Sequence, residues 1–278
     1  MVKKEKVEKL VKDWFAKTAD YEWKRLKQDA YHQLEFIVTN HFLKKYLPKK
    51  GLVLDAGGGP GRYTIELAKK GYNIVLLDLV KEMLEIAKKQ IKRERIQHNV
   101  KRMIEGSVTD LSTFIDETFD AVLCLGGPLS HLLDSEQRET AARELVRVAK
   151  KNAPLFVSVI GRFGLLKTIL KEFPEEMKYS SHHLEVGDYI PGVQGKGFTA
   201  AHWFTPEELQ RLLEKQNVET LDLVALEGLS SHLEEATNRL YEDKEKWNMW
   251  LDIVIRTCNQ PSIVGTAEHI LYVGRKRK

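Results

Sequence analysis

The chain has 278 residues, 42% apolar and 30% charged, which excludes a disordered chain and fits one large or two small domains. Lysine and arginine total 44 against 40 acidic residues, and a net charge of +4 on so large a surface carries no argument for a nucleic-acid partner by itself. No stretch approaches ~18 consecutive apolar residues, and the start MVKKEKVEKLVKDW lacks the apolar core of a secretion signal, so a soluble, cytoplasmic protein without a membrane partner is expected.

Residues 1–47 read as two or more amphipathic helices, with Val7, Leu10, Val11, Trp14 and Phe15, then Leu34, Ile37 and Val38, recurring at three and four. Pro48 ends them. From Gly51 the period changes: the apolar run Leu52-Val53-Leu54 stops at Asp55 and a glycine loop, the pattern of a buried strand. Tyr63 to Lys70 has helical spacing and ends at Gly71, a suitable residue just past a helix. Asn73 to Leu77 is a second strand closed by Asp78, and Met83, Leu84, Ile86, Ala87 and Ile91 mark one face of the next helix. Further strands are expected at Val100–Ile104, Phe119–Leu125 and Leu155–Ile160. Asp134 with Gln137 three residues on suggests a capping box opening a helix through Ala149. Such alternation calls for a parallel sheet covered on both faces.

The pattern breaks near Gly161. Residues 162–201 mix a short helix, Leu165 to Leu170, with a loop rich in Gly, His and Tyr. Thr205-Pro206-Glu207-Glu208 restarts a helix with Thr as N-cap. Val218–Leu226 and His269–Val273 read as a last, antiparallel strand pair split by a helical insertion at about 231–260. Cys124 and Cys258 form no C-x-x-C pair and read as packing residues.

The most informative stretch is strand, Asp55-x-Gly57-x-Gly59-x-Gly61, helix. Glycines are needed where backbone takes positive φ or meets a ligand closely, and the helix start adds unpaired N–H groups, so the loop suits a nucleoside-like or anionic ligand. No Gly-Lys-Ser/Thr follows, which excludes a P-loop, and the dinucleotide fingerprint meets Arg62 or Thr64 where it needs its third glycine. The pattern resembles motif I of the class I S-adenosylmethionine-dependent methyltransferases.

Other segments share that resemblance, which covers residues 50–160 well and 202–230 with 266–278 more loosely. Asp78 lies at the end of the second strand, 19 residues after Gly59, where the family's acidic residue holds the ribose hydroxyls. Glu105 to Leu111 resembles the adenine-contacting segment, although Ser107 stands where many members have Asp. Phe119-Asp120 leading into Leu125-Gly126-Gly127 resembles the fourth strand, which ends beside the methionine part. The resemblance implies a Rossmann-like α/β fold: a mostly parallel seven-stranded sheet with an antiparallel last strand, a helical cap at 1–47, and a core at 48–278 with insertions at 162–201 and 231–260. It implies S-adenosyl-L-methionine as cofactor. The pocket is expected from Asp55, Gly57, Gly58, Gly59 and Gly61, the ribose contact from Asp78 beside Leu79 and Met83, and the adenine and methionine borders from Ser107, Val108, Leu125 and Gly126. Tyr21, on a helix expected to fold over the cofactor, is the candidate for the methionine carboxylate.

An activated sulfonium leaves the protein mainly to position the acceptor and exclude water. Leu125-Gly126-Gly127-Pro128 is not the Asn/Asp-Pro-Pro-Tyr motif of enzymes that methylate exocyclic amino groups of bases, and two cysteines are too few for arsenic-type methylation. His131, Tyr31 and His202 are the candidates for acceptor handling, His131 as a base or as a helix-start residue bonded to backbone. His182-His183 and His202 lack neighbouring ligands at metal spacing, so no metal is expected. A small-molecule acceptor is the first reading. An RNA acceptor, with Arg275-Lys276-Arg277-Lys278 as contact, or a protein is the second, and a nicotinamide-dependent oxidoreductase or a non-catalytic nucleotide-binding module the third.

Overall fold

The charged N-terminal stretch coils into α1 (Lys4–Arg25), which buries only Val7, Val11 and Ala19 along its 22 residues. The computed structural model describes residues 4–277; the first three residues of the expected cap and Lys278 of the basic end lie outside the described residues. Asp29 caps α2 (Ala30–Tyr46), its carboxylate accepting the His32 N–H. Leu34, Val38, Phe42 and Leu43 of α2 are buried among the strand residues Val53, Ile74 and Leu76. This helix is therefore a layer of the core, and the boundary expected at residue 47 does not coincide with a break in packing.

The apolar runs and their intervening helices follow in the order read from sequence: β1 (Leu52–Ala56), α3 (Arg62–Lys69), β2 (Asn73–Asp78), α4 (Lys81–Arg93), β3 (Val100–Glu105), β4 (Ala121–Cys124), α5 (Ser135–Val148) and β5 (Pro154–Ile160). Asp134 caps α5 by accepting the Glu136 N–H at 3.0 Å. The expected partner Gln137 instead lines a groove at the strand ends, described below. After β5 come α6 (Arg162–Glu172), α7 (Ser180–Glu185), β6 (Asp188–Tyr189), β7 (Ala201–His202), α8 (Pro206–Glu214) and β8 (Val218–Ala225). The region expected as a loop thus carries a helix and a two-stranded ribbon, built on a small core of Ile169, Tyr189, Ala201 and Trp203. Thr205 and Glu208 close the expected capping box on α8. The second insertion holds α9 (Glu234–Leu240) and α10 (Lys244–Thr257), and runs on through α11 (Pro261–Val264) to β9 (His269–Lys276).

Seven strands form one sheet in the order β3-β2-β1-β4-β5-β9-β8. All neighbours are parallel except β9, which runs antiparallel to both β5 and β8. Alternate residues take opposite faces, as the strand period demands. Leu54, Val122 and Val157 pack with Leu145 of α5 and Leu209 of α8, while Val53, Leu123 and Phe156 pack with α2, α3, α4 and α10. The result is a three-layer α/β/α sandwich with its core on both faces of the sheet. No helix among the described residues is long and apolar enough to cross a membrane.

Candidate active site

Strand order reverses at β1, which lies between β2 and β4, and crevices at such a point outside the strand carboxyl ends are where open α/β sheets bind ligands. A groove of about 1170 Å³ opens there. One wall is the β1–α3 turn. Gly59 holds φ +55°, and a Cβ built on it would meet nothing within 4 Å. Across the groove Gly126, at the end of β4, repeats the arrangement at φ +81°. Both positions present bare backbone to open space, a cradle that a side chain would fill.

Asp78 ends β2 on the groove floor. Its Oδ2 accepts the Gly59 N–H at 2.7 Å and its Oδ1 the Val80 N–H at 2.8 Å, which fixes the carboxylate between turn and helix start. Burial pushes its pKa up to about 6, against the pull of those two bonds. Leu79, Met83, Ser107, Val108 and Leu125 also line the groove, with Gly57 and Gly58. Asp55 does not. Its carboxylate lies fully buried under the turn, accepts the Thr64 hydroxyl at 2.6 Å and is pushed up to about 6 by burial. Gly61 likewise caps α3 and stays off the groove surface, so these two residues build the turn rather than touch its contents.

The far wall is α1, whose Val7, Val11 and Phe15 face the groove. At one end the groove adjoins a second chamber of about 1030 Å³; Phe15, Glu22, Arg25, Gly126 and His131 line both. His131 is held by its Nδ1, 2.9 Å from the Ala200 carbonyl, and by the edges of Phe15 and Phe198. A carbonyl only accepts, so Nδ1 carries the proton and Nε2 the lone pair. Burial lowers the ring to about 4, which keeps it neutral near physiological pH.

Tyr21 lines the chamber and not the groove, apart from the other residues expected around the cofactor. Tyr31 lines the chamber too, its hydroxyl donating to Glu268 and accepting the His232 N–H at 3.0 Å. His202 is a correction. It is buried between Asp188 at 2.6 Å and Glu208 at 2.8 Å, ties β7 to β6 and α8, and borders neither space. His183 is similarly buried against Trp203.

Sequence reasoning missed Arg25, Glu35, Glu227, Glu268 and His269. Arg25 pairs with Glu22 at 3.1 Å and Glu35 at 2.6 Å, and Glu227 with His269 at 2.6 Å. Burial pulls the His269 ring down, but the Glu227 and Glu35 carboxylates outweigh it and raise the ring to about 9. Glu35, Glu227 and His269 bring possible ligand atoms within 4.8 Å of one another, a grouping the sequence did not suggest; they are committed to Arg25 and to each other. The signal for Glu268-His269 was the expected antiparallel last strand, whose first residues must lie level with the carboxyl ends of its parallel neighbours.

Residues 53–152 match the family model described as a methyltransferase domain, which sets aside the oxidoreductase alternative. Over 123 residues the chain is 31% identical to a glycine/sarcosine N-methyltransferase of Aphanothece halophytica, an overlap of 44% of each chain. Over 76 residues it is 32% identical to a tRNA 5-carboxymethoxyuridine methyltransferase of Escherichia coli, covering 27% of this chain and 29% of that one. The matches thus span less than half the length of these curated relatives. Among solved structures, the 1,6-didemethyltoxoflavin-N1-methyltransferase of Burkholderia thailandensis, with bound 1,6-didemethyltoxoflavin and S-adenosylhomocysteine, shares the fold at a TM-score of 0.59. That likeness has 16% identity and covers 100% of this chain and 92% of the other.

Proposed function

We propose that this chain, whose residues 53–152 form a class I S-adenosylmethionine-dependent methyltransferase domain, transfers the methyl group of that cofactor to a small molecule held in the chamber beyond the groove. The observation that carries the reading is the pair of bare glycines, Gly59 and Gly126, facing open space on either side of a groove with the Asp78 carboxylate on its floor. Asp78 is placed to accept ribose hydroxyls, Ser107 and Val108 border the adenine, and Leu125-Gly126 border the methionine end. Arg25, where groove meets chamber, offers its remaining N–H groups to the methionine carboxylate. With the cofactor bound, an acceptor lone pair forms a bond to the methyl carbon as the carbon–sulfur bond breaks and its electron pair passes to sulfur. The chain then has to orient the acceptor, keep water out and take a proton, and His131 Nε2, on the boundary, is the candidate base. Cytoplasmic placement is supported by Cys124 and Cys258, both free, buried thiols.

An RNA acceptor is the second reading, favoured by the tRNA-modifying relative. A labelled-methyl assay on total RNA against a metabolite extract separates the two, and RNA activity would fall steeply with salt. For the cofactor itself, calorimetry with S-adenosylhomocysteine is expected to give one site per chain, weakened at least ~10-fold in Asp78→Ala, the size of one charge-assisted hydrogen-bond contact. No heat at millimolar ligand overturns the reading.

A further inference from the structure

The acceptor chamber has a charge and a shape of its own. Its walls carry four carboxylates, Glu22, Glu35, Glu227 and Glu268, against two cations, Arg25 and His269. His32 also faces it, paired with Asp29 at 2.8 Å. Arg25 is shared between Glu35 and Glu22, and Glu227 offsets His269, so carboxylates outnumber these cations by two; the excess falls on Glu22, which holds a shared partner, and on Glu268, 3.8 Å from the His232 ring.

Those two also have oxygens to spare. Glu268 Oε1 accepts the Tyr31 hydroxyl, the Ser231 hydroxyl at 3.2 Å and the His232 N–H at 3.0 Å, while its Oε2 takes no hydrogen bond among the described residues. Glu22 gives Oε2 to Arg25 and keeps Oε1 free in the same way. The guanidinium is largely spent on these carboxylates: Nε goes to Glu22 and both terminal nitrogens to Glu35, which leaves two of its five N–H groups. Between these carboxylates stand the rings of Trp14, Phe15, Tyr21, Tyr31 and Phe198. Aromatic faces and an excess of carboxylates over cations together attract an organic cation and repel a carboxylate or phosphate.

Past Glu268 and His269 the chamber adjoins a third space of about 760 Å³ beneath the first insertion, and Ile160 and Phe198 also line both. Its walls are largely apolar, with Leu165, Ile169, Phe173, Tyr189 and Trp203. Trp203 is 2% exposed, and its Nε1–H has no partner among the described residues. A buried donor left open beside a cavity is an independent sign that the space receives a molecule bearing an acceptor atom.

We propose that the methyl acceptor is an amphipathic amine, bound as its ammonium on Glu268 and Glu22 among the aromatic rings and passing one proton to His131 Nε2 before its lone pair takes the methyl group. Its largely apolar body, with an acceptor atom for the Trp203 N–H, lies in the recess walled by Ile169 and Trp203. This rests on the methyltransferase reading and narrows it. The donor groove and the amine chamber have separate readouts, so the amine assignment can fail while the methyltransferase reading stands.

The test uses the full chain saturated with S-adenosylhomocysteine and three probes of one skeleton: 2-phenylethylamine, 2-phenylethanol and 3-phenylpropionate. Calorimetry is expected to show the amine binding at least tenfold more tightly than the alcohol, with no heat from the propionate. In Glu268→Gln the preference for amine over alcohol is expected to fall below threefold. Glu22→Gln provides a second variant with the same expectation, and circular dichroism checks that each is folded. Equal or tighter binding of the alcohol or propionate, no amine binding at millimolar concentration, or an unchanged preference in both folded variants overturns the amine assignment. If S-adenosylhomocysteine binds in those same titrations, the methyltransferase reading survives. If it does not bind, both fall.

Discussion

His131 shows how one side chain is prepared by its surroundings. The Ala200 carbonyl takes the Nδ1 proton, Phe15 and Phe198 exclude water, and burial holds the ring at about 4 rather than 6.5. A base with that pKa is ready across the neutral range and is lost only in acid. The rate of methyl transfer to an accepted amine, followed with a labelled methyl group, should therefore stay level from pH 8 to 6 as far as this group controls it, falling only as pH approaches 4. His131→Ala should lower kcat by ~10²-fold, the lower end of what a positioned acid or base contributes, with a smaller change in KM. A fall already centred near 6.5 in the wild type would show that another histidine carries the proton. Much of this site was legible residue by residue. Gly59, Asp78 and Gly126 line the groove because the glycine spacing and the strand-ending carboxylate are local patterns. Asp55 and His202 were misplaced because a motif says which residues stand near a site, while burial and partners decide whether they face it: Thr64 holds Asp55 under the turn, and two carboxylates hold His202 away.

Among the elements, α1 is joined to the core by a narrow seam. Its buried seam consists of Val7 and Val11 against Ala200, with Leu79 and Leu133 at the margin, and of Ala19 against Val80 and Met83. Of its 22 residues 12 are charged, and surface ion pairs such as Lys9–Asp13 add little. Yet this seam closes one wall of the groove. Val11→Asp places a carboxylate in it and should release α1 from its seat. The expected result is a loss of S-adenosylhomocysteine affinity of at least ~10-fold in calorimetry, with the main thermal transition moving by only ~2–4 °C, the shift of about 1 kcal/mol in a chain of this size. A transition lowered much further would mean that α1 belongs to the folding core. The strands and most helices could be read from period and punctuation alone. The ribbon β6-β7 could not: each strand is two residues long, and its pairing of Asp188 with His202 joins positions separated by a glycine-rich stretch. Nor could the core role of α2, because an amphipathic helix looks the same over a sheet as over a cofactor.

On the scale of the whole molecule, the charged cluster where α2, β8 and β9 converge ties stability to pH. His269 binds its proton more tightly in the fold, at about 9, than in the unfolded chain, near 6.5. Its contribution is therefore complete below pH 6.5 and is lost as pH rises through 9. The raised Asp55 and Asp78 act below this window, between their ordinary values and about 6, as does the lowered His131. Urea unfolding should accordingly show a loss of at most ~3 kcal/mol between pH 6.5 and 9, at about 1.36 kcal/mol per unit, and His269→Gln should flatten it. An equal loss in the variant would assign the effect elsewhere. The chamber that holds this cluster was the least legible part of the protein. It gathers residues from α1, α2, the end of β8 and the start of β9, and no local pattern marks a site assembled from such distant stretches.

Because β9 threads backwards between β5 and β8, Glu268 reaches the chamber only after β8 and the second insertion have been made. On the ribosome, the nucleotide-holding half has its strands and turn in hand while the floor of the neighbouring compartment is still inside the exit tunnel. A nascent chain halted before residue 268 would own a place for the methyl donor and no means of choosing what to give it to. Under the proposed reading, the choice of acceptor is built after the place for the donor.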